Sequence, residues 1–243
     1  MEPTPSALAL ARRLAALPEP LMRERVLLEY LLAAEPSDAV GVLADFYAFG
    51  AHGGPPFNLA LLALAGVLGG DSLGYELRAG LYSAAKEAEL CNLHQLFLSS
   101  RGEAASYPQG RAPDRELTLG HRKSLARSTN RVTLQGLLRD PEPEVIPIVL
   151  RNPRITEREV VALAARRPTA ADLQWCVFGS RRWISRYSVK RALVLNPYTP
   201  TDLGLRLLAF LNAADLRMVQ GSPSLPPLIR QAASRLLLTA AEQ

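Results

Sequence analysis

Ala192-Leu193-Val194-Leu195-Asn196-Pro197-Tyr198-Thr199-Pro200-Thr201-Asp202-Leu203-Gly204-Leu205-Arg206-Leu207-Leu208 decides the fold class. An apolar helical run stops at Asn196-Pro197, because proline disfavours helical geometry in the residue before it and lacks a backbone donor. Thr199-Pro200 then starts a second helix. Thr199 is a good N-cap, Pro200 suits the first helical position, and Asp202 lies three residues after the cap. The same punctuation recurs at Asn152-Pro153…Thr156, at Arg167-Pro168-Thr169 and at Ser222-Pro223…Pro226. Three starts share a Thr-x-x-acid pattern: Thr156 with Glu159, Thr169 with Asp172, and Thr199 with Asp202. In such a pattern the hydroxyl takes an orphan backbone N–H and the carboxylate meets the positive end of the helix.

Composition extends this reading to the whole chain. The 243 residues are 48% hydrophobic and only 6% aromatic. Leu and Ala, strong helix formers, carry the apolar share, and β-branched runs are nearly absent. The expectation is an all-α protein. A chain of this length buries roughly 70–75% of its unfolded surface and needs no covalent staples. Cys91 and Cys176 both sit in apolar helical contexts, and both are expected to be reduced core thiols. The start Met1-Glu2-Pro3-Thr4-Pro5 has no basic region before an apolar stretch, so no signal peptide is expected. The most apolar run, Phe57 to Leu68, is too short to span a bilayer and is expected to be a buried helix. Together these features point to a cytoplasmic protein.

Charge divides the chain. Residues 1–100 hold six Lys/Arg against eleven Asp/Glu, whereas residues 101–243 hold twenty-two against twelve. The segment 99–114 is rich in Ser, Gly and Pro, has no apolar periodicity, and lies where the sign changes. The expected organisation is an acidic helical domain over 1–100, a linker or loop over 101–114, and a basic helical-repeat domain over 115–243. In the basic half, short helices follow in quick succession: Leu117–Arg127, Val132–Leu138, Val145–Leu150, Thr156–Arg166, Thr169–Phe178, Trp183–Leu195, Thr199–Leu211, Asp215–Val219 and Pro226–Leu238. Short paired helices of this kind cannot bury their apolar faces alone and stack on their neighbours into a solenoid.

The run Val189-x-x-Ala192-Leu193-Val194-x-Asn196-Pro197-x-Thr199-Pro200-x-x-Leu203 resembles the leucine-rich repeat variant, a bacterial helical-repeat family akin to HEAT and armadillo repeats. The resemblance covers about residues 131–237. Asn152-Pro153 carries one extra residue and lacks the second proline, Arg167-Pro168-Thr169 is shortened, and Ser222-Pro223 lacks the asparagine. It implies a short α-solenoid of HEAT-like units following the N-terminal helical domain. The cysteine-rich iron–sulfur segment known in that family has no counterpart here, so no cofactor is expected.

The sequence lacks the motifs of the common catalytic classes. It has no G-x-x-x-x-G-K-[ST], no H-E-x-x-H, no G-x-S-x-G and no C-x-x-C. His52, His94 and His121 are far apart, and none has metal-ligand spacing to another His or Cys, so no metal site is expected. The strongest constellation is Arg181-Arg182-Trp183-Ile184-Ser185-Arg186-Tyr187-Ser188-Val189-Lys190-Arg191. On one continuous helix Arg182, Arg186 and Lys190 would form a basic ridge, with Trp183 and Tyr187 beside it. Such a ridge can be a solvated face, can dock an acidic partner through Trp and Arg anchors, or can hold phosphates and stack bases. Arg151, Arg154 and Arg158, with Arg166 and Arg167, extend the positive character, while Glu142, Glu144, Glu157 and Glu159 interrupt it and oppose a phosphate backbone.

The expectation is a non-enzymatic adaptor or regulatory protein that binds a protein partner, acidic on its own side. The partner-binding residues are Arg181, Arg182, Trp183, Arg186, Lys190, Arg151, Arg154 and Arg158. A nucleic-acid-binding helical-repeat protein is the first alternative, and an enzyme with an inter-domain site is the second. The cluster Phe46, Tyr47, Phe49, His52 and Phe57 around Gly53-Gly54-Pro55-Pro56 reads either as a recognition loop or as a loop tucked over the core.

Overall fold

A computed structural model describes residues 2–50, 54–69, 72–98, 117–140 and 142–241, with side chains described through residue 238. Every regular element among the described residues is a helix. No helix among them is long and apolar enough to cross a membrane. The linker expected over 101–114 and His52 lie outside the described residues.

The chain forms two compact units. The first takes residues 1–100 and 205–243, the second residues 101–204. The last forty or so residues, read from sequence as the end of the repeat domain, thus group with the N-terminal helices.

In the first unit α1 (Pro5–Ala16), α2 (Pro20–Ala33), α3 (Pro36–Phe49) and α4 (Pro55–Gly69) each open on a proline. That position wastes no backbone donor and needs only the φ that proline already has. The expected apolar helix is α4, which buries Phe57, Ala60, Leu61, Leu64 and Leu68 and packs against α1, α2 and α3. Phe46, Tyr47 and Phe57 are core residues, with Phe46 edge-on to Phe57 at 6.2 Å and Phe49 tilted against it at 5.5 Å. These aromatics lie on α3 and α4 and pack together there. The Thr4 hydroxyl accepts from Ala7 N to cap α1, and Thr4 donates through N and Oγ1 to Asp45 Oδ2 at 2.8 and 2.7 Å. One carboxylate so pins the start of α1 to α3. After α5 (Tyr75–Glu87) and α6 (Cys91–Phe97), the unit is completed by α15 (Ala213–Gln220) and α16 (Pro227–Ala241). Arg235 of α16 donates to Asn92 Oδ1 and Gln95 Oε1 of α6 at 2.8 and 3.0 Å.

The second unit holds α7 (Leu119–Leu125), α8 (Arg131–Leu137), α9 (Ile146–Arg151), α10 (Glu157–Ala164), α11 (Ala171–Gly179), α12 (Arg181–Ile184) and α13 (Tyr187–Val194). The boundary between units falls within α14 (Thr201–Leu208). Asn152 and Asn196 end α9 and α13 with one bonding pattern. Asn152 Nδ2 donates to the carbonyls of Ala126 and Ser128, both at 2.9 Å, and its Oδ1 accepts from Arg154 N at 3.0 Å. Asn196 Nδ2 donates to Ala164 and Arg166 at 2.7 and 2.9 Å, and its Oδ1 accepts from Tyr198 N at 3.0 Å. Each amide therefore bonds to carbonyls at the end of an earlier helix, and Ala164 O also accepts from Gln174 Nε2 at 3.3 Å.

The three threonine starts diverge. Thr156 caps α10, and its N and Oγ1 both donate to Glu159 Oε2, at 2.9 and 2.8 Å. Those two bonds hold the Glu159 carboxyl below its usual range against the opposing effect of burial, the largest single influence on it. Thr169 is buried one residue ahead of the cap, which is Ala170. Thr199 donates Oγ1 to Leu193 O at 2.7 Å, so it closes the helix before it instead of capping the one after.

Candidate partner-binding surface

The expected ridge of Arg182, Arg186 and Lys190 does not form. The run from Trp183 to Leu195 is two helices, α12 and α13, because the chain turns extended at Arg186, with φ −78° and ψ 130°. Arg182 and Arg186 therefore do not share a helical face. Lys190 is only 2% exposed. Burial pushes its ammonium down to about 8, since a low-dielectric setting disfavours the charged form. Lys190 thus drops out of a surface that meets a partner directly.

Trp183 is also corrected. Its ring is buried, and its Nε1 donates to Leu150 O at 2.8 Å, at the end of α9. A buried indole needs that partner, and the stacked apolar ring is more stable inside than beside a solvated ridge. Its effect at the surface is indirect. The Arg182 guanidinium carbon lies 4.3 Å from the Trp183 ring centroid, a cation–π contact, and Arg182 Nη1 donates to Asn152 O at 3.4 Å. Tyr187 remains partly exposed at the start of α13.

Several cations of this unit are neutralised locally. Arg122 pairs with Asp140 at 2.6 Å with both side chains largely buried, and Lys123 pairs with Glu144. Arg131 meets Glu159 at 3.4 Å. Arg186 lies 3.7 Å from Glu157, which also accepts from Ser188 Oγ. Arg186 is therefore the bridging end of a link between α10 and α13 more than an open cation. Among the described residues, no carboxylate comes within ion-pair distance of Arg127, Arg151, Arg154, Arg158 or Arg182.

Part of that open set converges. Ala126, Arg127, Ile148, Arg151, Asn152 and Pro153 line an open groove of about 260 Å³. Arg182 reaches the same Asn152 from α12. Asn152 joins the pieces: its side chain holds the carbonyls on either side of Arg127, while its backbone receives Arg182. Of the predicted residues, Arg151 lines the groove and Arg182 bonds to the backbone of Asn152, the chain neighbour of Arg151. Arg154 is exposed immediately beyond Pro153, and Arg158 is exposed in the first turn of α10. Arg181 is exposed on α12. Arg127 was absent from the sequence expectation. It lies between the two residues whose carbonyls Asn152 bonds, a relation that no linear pattern displays.

The first unit contains a larger recess of about 400 Å³, lined by residues including Tyr47, Ala48, Leu90, Leu93, Arg235 and Leu236. Tyr47 donates to Leu205 O at 3.1 Å at its base, and burial raises the phenol well above its usual range. His94 packs edge-on to Tyr82 at 5.6 Å. Burial first, then the charges of Arg235 and Lys86, lower its imidazole. Cys91, expected in the core, is exposed, and Cys176 is half-buried with Sγ donating to Pro143 O at 3.4 Å. Among the described residues no group of three His, Cys, Asp or Glu side chains is placed to hold a metal ion. Compared with known protein families, curated proteins and solved structures, the chain matches none.

Proposed function

We propose that this chain is a non-enzymatic, HEAT-like helical-repeat adaptor of the cytoplasm, and that its basic unit binds an acidic protein segment along the groove beside Asn152-Pro153. One observation carries the reading. Arg127 and Arg151 line one open groove, Arg182 bonds to the carbonyl of Asn152, which lines it too, and no carboxylate among the described residues comes within ion-pair distance of the three. Arg182 is held in place by Trp183, so less side-chain freedom is lost when it meets a carboxylate. Guanidinium groups recognise carboxylates through paired donors. The groove is short, and Ile148 gives it an apolar wall, which suits an acidic peptide with one apolar anchor.

A nucleic acid fits this surface less well. A phosphate backbone is followed by a continuous track of cations, whereas in this unit Glu144 and Glu157 pair with Lys123 and Arg186 and interrupt such a track. The test is fluorescence anisotropy with a labelled Asp/Glu-rich peptide and, separately, labelled single-stranded DNA, at low salt. The peptide is expected to bind, the DNA is not, and the double variant Arg151→Glu/Arg182→Glu is expected to abolish peptide binding with an unchanged circular dichroism spectrum. Equal peptide binding by that variant overturns the reading. Tight DNA binding lost in the variant transfers the groove to nucleic acid.

A further inference from the structure

The outer face of α2 has its own chemistry. Its inner residues Leu27 and Leu31 are buried, and the helix packs on α4. With about 100° of rotation per residue, Leu21, Met22, Arg25, Glu29, Leu32 and Ala33 fall on the opposite arc, and all six are exposed. Leu21, Met22 and Leu32 are 57%, 48% and 66% exposed, a high cost in water for one short helix. Arg25 and Glu29 sit between these apolar ends and pair with each other at 3.1 Å.

We propose that this face is the contact between two copies of the chain, with α2 paired antiparallel across a two-fold axis centred on residue 27. The arrangement of charges and apolar side chains argues for that partner. Antiparallel pairing about residue 27 sets Arg25 of one copy against Glu29 of the second, and Glu29 against Arg25. On the same helical edges, Leu21 comes opposite Leu32 and Met22 opposite Ala33, each to within one residue's rise of about 1.5 Å. The face is thus complementary to itself, as an isologous interface requires. Parallel pairing in register would oppose Arg25 to Arg25 and Glu29 to Glu29. The helix has 14 residues, about 21 Å of length, which buries less than the roughly 800 Å² per partner of a standard interface. The dimer is accordingly weak and concentration-dependent.

Sedimentation equilibrium of the full chain, from low micromolar to several hundred micromolar, tests this. A monomer–dimer equilibrium is expected. Arg25→Glu and Glu29→Arg each place like charges face to face and are expected to weaken dimerisation roughly tenfold, a change of about 1.4 kcal/mol. The double variant Arg25→Glu/Glu29→Arg restores opposite charges and is expected to recover the parent affinity. Leu32→Asp is expected to leave a monomer at every concentration. All these side chains are exposed, and far-UV circular dichroism of each variant is expected to match the parent. A single monomeric mass throughout overturns the proposal. So does a dimer indifferent to both single reversals, or a charge swap that fails to recover; an α2 face that serves a different protein gives the first of these results.

Discussion

Asn196 and Ala164 are joined by a 2.7 Å hydrogen bond from the side-chain amide of one to the carbonyl of the other. The same amide donates to Arg166 O, and Asn196 is 1% exposed. Asn196→Ala removes both of these bonds and the acceptor for Tyr198 N, although Ala164 O keeps its 3.3 Å bond from Gln174 Nε2. The expected loss is about 1–3 kcal/mol of unfolding free energy. Asn196→Asp is expected to be worse at neutral pH, because a carboxylate then faces two carbonyl oxygens in a dry site, and to recover in part as the pH falls. Urea unfolding of the three proteins at two pH values checks both statements. Equal stability of Asn196→Ala and the parent would falsify the structural role.

Trp183→Phe separates packing from positioning. Phenylalanine keeps an apolar ring but leaves Leu150 O without its donor, at an expected cost of about 1–2 kcal/mol. It is also a weaker cation–π partner for Arg182. Affinity for the acidic peptide is expected to drop a few-fold although Trp183 itself is buried. Arg182→Lys keeps the charge but loses the planar fork, and is expected to weaken binding without a comparable loss of stability. Anisotropy and chemical denaturation on the same samples separate the two effects.

How far the sequence could be read follows from which interactions are local. Some helix starts and stops were legible because they depend on neighbours: Asn-Pro at the ends of α9 and α13, and Thr156 with Glu159 at the start of α10. The apolar run that became α4 was legible because no shorter-range alternative competes for it. The site was less legible. Periodicity alone allows one helix from Trp183 to Leu195, and the break at Arg186 accompanies burial of Trp183 against Leu150, a tertiary contact. Lys190 looks exposed in sequence because lysine usually is, yet its turn of α13 faces inward with Val189 and Leu193. The sequence did carry one unused signal. Ala170-Ala171-Asp172-Leu173 reappears 43 residues on as Ala213-Ala214-Asp215-Leu216, one residue short of the 44 that separate Asn152-Pro153 from Asn196-Pro197. That spacing aligns longer units than cutting at prolines does.

Lys190 also sets a pH dependence. Its folded-state value is lowered to about 8 from the ordinary 10.5, so the unfolded chain binds more protons between these limits. Stability therefore rises as pH increases through this window, by up to roughly 3 kcal/mol. Below about 8 the penalty of the buried charge is fully present and constant. Tyr47 acts in the opposite sense, because burial raises its phenol, but only above the ordinary tyrosine value near 10. Unfolding free energies measured from pH 8 to 10 are thus expected to climb in the parent, and to climb much less in Lys190→Met. Parallel profiles would show that Lys190 stays charged in the fold.

Gly50 makes a close approach to α4. Its φ of −55° suits any residue, so conformation does not demand glycine there. Space does. A Cβ built on Gly50 would come 2.2 Å from Leu61 Cδ2 and 3.0 Å from Phe46 O. Leu61 is 1% exposed in the middle of α4 and has no open direction to move in. Gly50→Ala is expected to cost about 1–3 kcal/mol through overpacking. Leu61→Ala alone is expected to cost about 2–5 kcal/mol by opening a cavity. Combined, the alanine at position 50 has room where Leu61 stood, so the double variant is expected to be more stable than the two separate losses predict, with a coupling of about 1 kcal/mol or more. A double-mutant cycle by thermal or urea unfolding measures that coupling directly. Strict additivity would mean that the end of α3 shifts to admit the methyl group without pressing on α4.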